Sequence, residues 1–275
     1  MQTLPLTVVA LAFVGLFGLA IGSFLNVIVY RVPAGIPLTR QSRCPSCAAP
    51  VRPWQNVPVV SWIALRGRCA SCGDGISARY PLVELATGVA LVLVVWLCID
   101  SWGQMPARAM LPVTLAYVYL AAVSVALTLI DLDTRRLPNS IVLPSYVVLG
   151  TLFALACALG APWEAMLRAL IGATALYVFY AVLRLARPGG MGGGDVKLAG
   201  VLGAALAWIG WGAFAVGAFA AFVLGGVVGV ALMVTRRANG KTAIPFGPWM
   251  IAGAWSGILV GEQVARWYLG MLTFS

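Results

Sequence analysis

The chain has 275 residues, of which 61% are hydrophobic and only 9% charged, whereas a soluble domain carries about 25% charged residues. That composition excludes an ordinary soluble protein, which needs charge to cover its surface, and indicates a polytopic protein of the lipid bilayer. The formal charge is +10 with no histidine, so Ser–His and Cys–His nucleophiles and HExxH zinc sites are ruled out.

Apolar runs fall at 6–30, 82–99, 110–131, 140–160, 163–185, 196–211, 213–235 and 247–270. Each approaches the roughly 20 residues that cross a bilayer, so the expected fold is all-α with about eight transmembrane helices. The first run has no basic residue before it and continues into GSFLNVIVYR, which reads as a retained span rather than a cleaved leader. The sixth and seventh runs meet at Trp208–Gly212, a very short turn.

Basic residues lie in short segments between the runs, the positive-inside pattern rather than a nucleic-acid-binding face. With the N-terminus outside, the inner segments carry 15 of the 18 Lys and Arg. Only Arg108, Arg168 and Arg266 fall outside. This orientation puts both termini in the periplasm and both Asp131 and Asp195 at cytoplasmic helix ends.

The sizeable non-membrane segment is 31–81. It divides the chain into a first helix (1–30), a cytoplasmic module (31–81) and a transmembrane core (82–275). About 50 residues are too few for a stable core without a staple. Cys44-x2-Cys47 and Cys69-x2-Cys72 supply one, because paired CxxC knuckles are a signature of tetrahedral zinc. In the cytoplasm disulfides do not persist. Four thiolates leave no open position, so the zinc is structural rather than catalytic. The apolar stretch PVVSWIALRGRC between the knuckles either lies on the membrane surface or contacts the helices.

Only eight carboxylates are present, and an ionisable group at the end of a membrane span is costly enough to need a reason. Asp131 lies in LTLIDLDTRRLPN and Asp195 in GGMGGGDVKLAG. Each has a plain alternative: interfacial solvation for Asp131 and Asp133, an N-cap for Asp195, a snorkelling anchor for Lys197. The glycines before Asp195 permit unusual backbone angles and close approach of another chain. Together, two carboxylates at one membrane depth can share a proton, one acting as base on water while the other protonates a carbonyl. The pair titrates as a unit, so neither receives an individual role.

These motifs, in this order along almost the whole chain, resemble those of the prepilin peptidases of type IV pilus and type II secretion systems, which are bifunctional leader peptidase/N-methyltransferases of the GxGD aspartic protease type. The resemblance rests on GSFLNVIVYRVP, the two CxxC knuckles, RYPLVEL, DLDTRRLPN, GGGDVKL and FGPW. It implies that Asp131 and Asp195 are the catalytic pair, ahead of Asp133, with Gly192, Gly194 and Lys197 supporting the catalytic loop. Asn139 stands where the family often has Asp. The resemblance also implies prepilin or pseudopilin substrates, cleaved on the cytoplasmic side of the inner membrane, and S-adenosyl-L-methionine as methyl donor. Partners would be pilus or type II secretion machinery. The cysteine module, Gly67 and Glu84 are the positions it associates with methylation. A peptidase lacking the methyltransferase and a proton-coupled transporter are the competing readings.

Overall fold

A computed structural model describes residues 3–101, 105–187, 191–235 and 245–273. Among them are eight long helices, one for each apolar run, and no strand. They are α1 (Thr3–Arg31), α3 (Arg79–Ser101), α4 (Ala107–Thr134), α5 (Asn139–Ala158), α6 (Trp163–Ala186), α7 (Gly193–Ile209), α8 (Trp211–Val234) and α9 (Gly247–Thr273). A short helix α2 (Val60–Ala64) and a 3-10 turn (Pro53–Asn56) lie between α1 and α3.

Six of the long helices, α1, α3, α4, α5, α6 and α8, are long and apolar enough to cross a membrane. The other two differ for separate reasons. Helix α7 has 17 residues, about 26 Å of rise against a hydrocarbon core of about 30 Å. Helix α9 has the length, but Glu262, Gln263 and Arg266 interrupt its apolar run.

The chain forms two compact units. One holds α1, the cysteine-bearing segment, α3 and the middle of α4 (Tyr117–Ala126). Its helices α1 and α3 pack through glycine. A methyl group on Gly18 would lie 2.7 Å from the Gly88 Cα, and one on Gly22 would lie 2.6 Å from the Glu84 Cα. Gly18 and Gly22 form a GxxxG pair, which lets backbones meet where lipid offers no hydrophobic drive for helix association.

The other unit holds the ends of α4 and helices α5 to α9. Helix α7 is its centre. From Val196 to Trp208 every α7 residue but Lys197 and Ala204 is buried, the mark of a helix enclosed on nearly all sides. Gly172 of α6 and Gly203 of α7 abut directly, and Gly257 of α9 meets the backbone of Gly217 on α8.

Within this unit two sets of contacts fix which helix ends lie together. At one end are the C-terminus of α4 and the N-termini of α5, α7 and α9, joined by contacts of Asp131, Leu137, Asn139, Gly194 and Gly247. At the other, the Arg168 guanidinium donates to the Ala207 and Trp208 carbonyls at the α7 C-terminus, at 3.2 and 3.1 Å. There too Glu262 accepts the Ala213 N–H at 3.1 Å, at the α8 N-terminus. A cation on exposed carbonyls and a carboxylate on exposed N–H groups both complement the helix dipole. They brace the reversal between α7 and α8, which occupies Gly210 alone.

Candidate active site

Asp131 lies in the last turn of α4 rather than at its final residue. The helix runs on to Thr134 and closes with Arg135 in the left-handed region (φ 54°, ψ 36°), whose N–H returns to the Asp131 carbonyl at 2.8 Å. A non-glycine residue there costs about 1–2 kcal/mol. The tight stop lets Leu137 and Pro138 turn the chain at once into α5, which begins at Asn139.

The Asp131 side chain is 4% exposed. Its Oδ2 accepts the backbone N–H of Gly247 at 3.0 Å. Gly247 opens α9, so the carboxylate sits at a helix N-terminus, where unpaired N–H groups favour negative charge. A Cβ on Gly247 would lie 2.7 Å from Asp131 Oδ2, so any larger residue there displaces the carboxylate.

Asp195 is held in a related way. It is not the N-cap of α7 but the third residue of its first turn; Gly192 is the cap, and its N–H donates to Asp195 Oδ2 at 3.0 Å. The glycines Gly193 and Gly194 are helical and use no left-handed angle. Their purpose is space. A Cβ on Gly194 would lie 2.7 Å from the Leu137 Cβ. Gly189 and Gly190 of the same motif lie outside the described residues.

Leu137 therefore touches both helix starts. It packs on Gly194, beside Asp195, and its Cδ1 would be 3.5 Å from a Cβ on Gly247, beside Asp131. Leu137 thus brings the two aspartates to the same end of the unit. Double ionisation is then opposed by repulsion and favoured by the two helix ends, the balance that lets a carboxylate pair hold one proton. Asp133, two residues on, points about 200° round the helix from Asp131 and is exposed.

Lys197 meets neither aspartate among the described contacts. Its Nζ donates to Asn139 Oδ1 at 2.9 Å, and its carbonyl accepts the Tyr146 hydroxyl at 2.5 Å. Both contacts tie α7 to α5, so the side chain is a helix-to-helix strut at the loop rather than a lipid-facing anchor.

In the other unit, Cys44, Cys47, Cys69 and Cys72 converge, with all four sulfurs within 4.8 Å of one another. Cys44 and Cys72 are 3.9 Å apart, and Cys47 and Cys69 are 4.0 Å apart. A tetrahedron with Zn–S bonds of about 2.3 Å has edges of about 3.8 Å, so the residues fit a structural zinc ion.

The two knuckles repeat one backbone pattern. Cys44 N–H bonds Ala49 O and Ala48 N–H bonds Cys44 O; likewise Cys69 N–H bonds Asp74 O and Gly73 N–H bonds Cys69 O. The residue after each second cysteine is left-handed: Gly73 at φ 75° and, unexpectedly, Ala48 at φ 57°. The backbone N–H groups of Cys72 and Ser71 bring Cys69 down to about 6. Ser46 joins the knuckles by donating to Asp74, and with the Gly75 backbone it holds the Asp74 carboxyl below its ordinary range.

Gly67 and Glu84 are both near this module but do separate things. Gly67 is left-handed (φ 66°) and lies under Trp62, where a Cβ would be 2.8 Å from the indole. The Trp62 Nε1–H in turn donates to Ile76 O at 3.0 Å. Glu84, buried on α3, accepts the Val59 N–H at 2.7 Å. Val59 sits at φ 62°, ψ −50°, a conformation that costs a β-branched residue about 1–3 kcal/mol. The carboxylate offsets that cost and fixes the start of α2. Sequence reasoning passed over Arg31, which is buried with its guanidinium donating to the carbonyls of Leu38 (2.8 Å) and Arg40 and to Ser42 Oγ (3.2 Å).

Residues 16–98, which hold the four cysteines, match the bacterial peptidase A24 N-terminal domain. Residues 118–230, which hold both aspartates, match the type IV leader peptidase family. The chain belongs to that family. It is 37% identical to the prepilin leader peptidase/N-methyltransferase of Neisseria gonorrhoeae, over 94% of this chain and 95% of that protein. Similar matches are the proteins of the same description from Pseudomonas aeruginosa (36% identical, 94% and 93% covered) and Aeromonas hydrophila (35%, 94% and 93%). No solved structure matches the chain. Family membership and several apolar helices together make it a multi-pass membrane protein. Gly247 lies beyond the matched peptidase segment, and Leu137 carries no polar atom; neither announces itself in the sequence, although FGPW marks the place where α9 begins.

Proposed function

We propose that the chain is a bifunctional prepilin leader peptidase and N-methyltransferase, with Asp131 and Asp195 as its catalytic pair. The observation that carries this reading is the convergence of the two carboxylates at one end of the peptidase unit, each seated on a helix N-terminus. Leu137 packs against the starts of both helices.

The chemistry needs only these two groups and water. The ionised carboxylate takes a proton from water as the water oxygen attacks the scissile carbonyl carbon. The protonated partner gives its proton to the carbonyl oxygen. Collapse of the tetrahedral intermediate expels the amine, which leaves with a proton from the pair. The pair acts as a unit.

The substrate is a prepilin or pseudopilin in the membrane, its basic leader cut on the cytoplasmic side of the inner membrane. The new N-terminus is then methylated with S-adenosyl-L-methionine as co-substrate. The names of the relatives support both activities, and Cys44, Cys47, Cys69 and Cys72 would hold zinc as the staple of the module. In this orientation both chain termini are periplasmic. Pilus or type II secretion machinery would supply the substrate and receive the product.

Incubation of the purified enzyme with a prepilin and labelled S-adenosyl-L-methionine tests both halves in one sample. Cleavage with label on the product is expected. Cleavage without label would reduce the enzyme to a peptidase; neither product would reject the reading.

A further inference from the structure

The segment between the two zinc knuckles presents an apolar face that the proposed chemistry does not use. Trp54 is 54% exposed, Val60 62% and Ile63 64%, with Val57 exposed beside them. Val60 and Ile63 lie three residues apart on one side of α2, and Trp54 and Val57 precede them in the 3-10 turn and the extended residue that closes it. Four large exposed apolar side chains this close together on so small a module are costly in water.

Two observations say what covers them. The first is depth. Glu84 pins the Val59 N–H, and so the start of α2, at a point five residues inside α3, about 7–8 Å beyond Arg79. Its neighbours Leu82 and Leu85 are exposed on a helix apolar enough to span a membrane. Helix α2 is therefore held at the level where the bilayer begins, not above it. The second is charge. Residues 31–81 contain seven arginines and one acid, Asp74. The segment stays cationic even with the double negative charge of a zinc ion on four thiolates. Arg52, Arg66 and Arg68 flank the apolar face and are exposed.

We propose that residues 54–64 form an interfacial anchor that docks the zinc module onto an anionic leaflet. The apolar face enters the acyl boundary while the flanking arginines meet lipid phosphates, the arrangement of amphipathic helices that lie in the membrane plane. The tryptophan suits the headgroup level. Glu84 acts as the latch that sets the depth. This inference rests on the membrane assignment and not on the roles of the aspartates, so the two can fail separately.

The test uses the full-length, zinc-loaded chain in nanodiscs, with Cys98→Ala and Cys157→Ala removing the cysteines outside the zinc module and a nitroxide attached at Ile63→Cys. Collision with oxygen and with an aqueous nickel chelate then reports depth. In phosphatidylglycerol discs the label is expected on the lipid side, with oxygen collisions favoured. Arg52→Gln, Arg66→Gln and Arg68→Gln combined should shift it measurably toward water, as should replacing phosphatidylglycerol with phosphatidylcholine. A label favouring the nickel chelate in phosphatidylglycerol discs would overturn the anchor, and shielding from both reagents would show that protein covers the face. A lipid-side position indifferent to both changes would overturn the anionic leaflet as its occupant.

Discussion

Replacing Gly247 with alanine tests the site without touching a carboxylate. The added methyl would lie 2.7 Å from Asp131 Oδ2 and 3.5 Å from the Leu137 Cδ1. The first distance is too short, so the carboxylate must swing away from the Gly247 N–H that it accepts at 3.0 Å. A hydrogen bond to a charged group is worth about 1.5–3 kcal/mol. If that positioning is lost in the transition state, kcat falls about 10- to 100-fold. Alanine is at least as good a helix former as glycine, so α9 itself should persist. The assay is prepilin cleavage in proteoliposomes, with zinc content and membrane insertion measured on the same sample. The expected result is a reduced kcat, little change in KM, and normal zinc. A kcat within twofold of wild type would refute the claim that the α9 N-terminus positions Asp131.

Gly194→Ala should also slow cleavage, because its Cβ would meet the Leu137 Cβ at 2.7 Å; Leu137→Gly in the same chain, which removes that Cβ, should restore part of the loss, and a double-mutant cycle with no coupling would remove Leu137 from the account. Cys44→Ser with Cys47→Ser should release the zinc and reduce methyl transfer more than cleavage, checked by metal analysis and by labelled methyl incorporation. Ala48→Gly should stabilise the module by about 1 kcal/mol by relieving the left-handed alanine at φ 57°, read as slower zinc loss to a chelator.

Much of this architecture is legible in the sequence because bilayer physics writes it there. Each apolar run became one helix, and the scarcity of carboxylates made Asp131 and Asp195 stand out. The knuckles were legible because two paired CxxC motifs are a signature of tetrahedral zinc, whatever surrounds them. What stayed hidden depends on distance in space. The Gly247 N–H reaches Asp131 across 116 residues, and a backbone donor leaves no trace in residue type. The glycines before Asp195 allowed either unusual angles or close approach of another segment, and only space shows that Gly194 serves the second, by admitting Leu137. Arg168 entered the charge count only as a residue on the outer side, whereas the fold uses it on the α7 carbonyls. For Lys197 the sequence left loop support and a membrane anchor both open, and its acceptor, Asn139, lies 58 residues away.

The central claim is that Asp131 and Asp195 form one catalytic unit. Its most direct test is prepilin cleavage by Asp131→Asn, Asp195→Asn and the double variant, each in proteoliposomes with membrane insertion and zinc confirmed. The account predicts that each single variant loses cleavage as completely as the double, since one carboxylate cannot serve as both acid and base. Full cleavage by either single variant, or losses that multiply in the double, would contradict it.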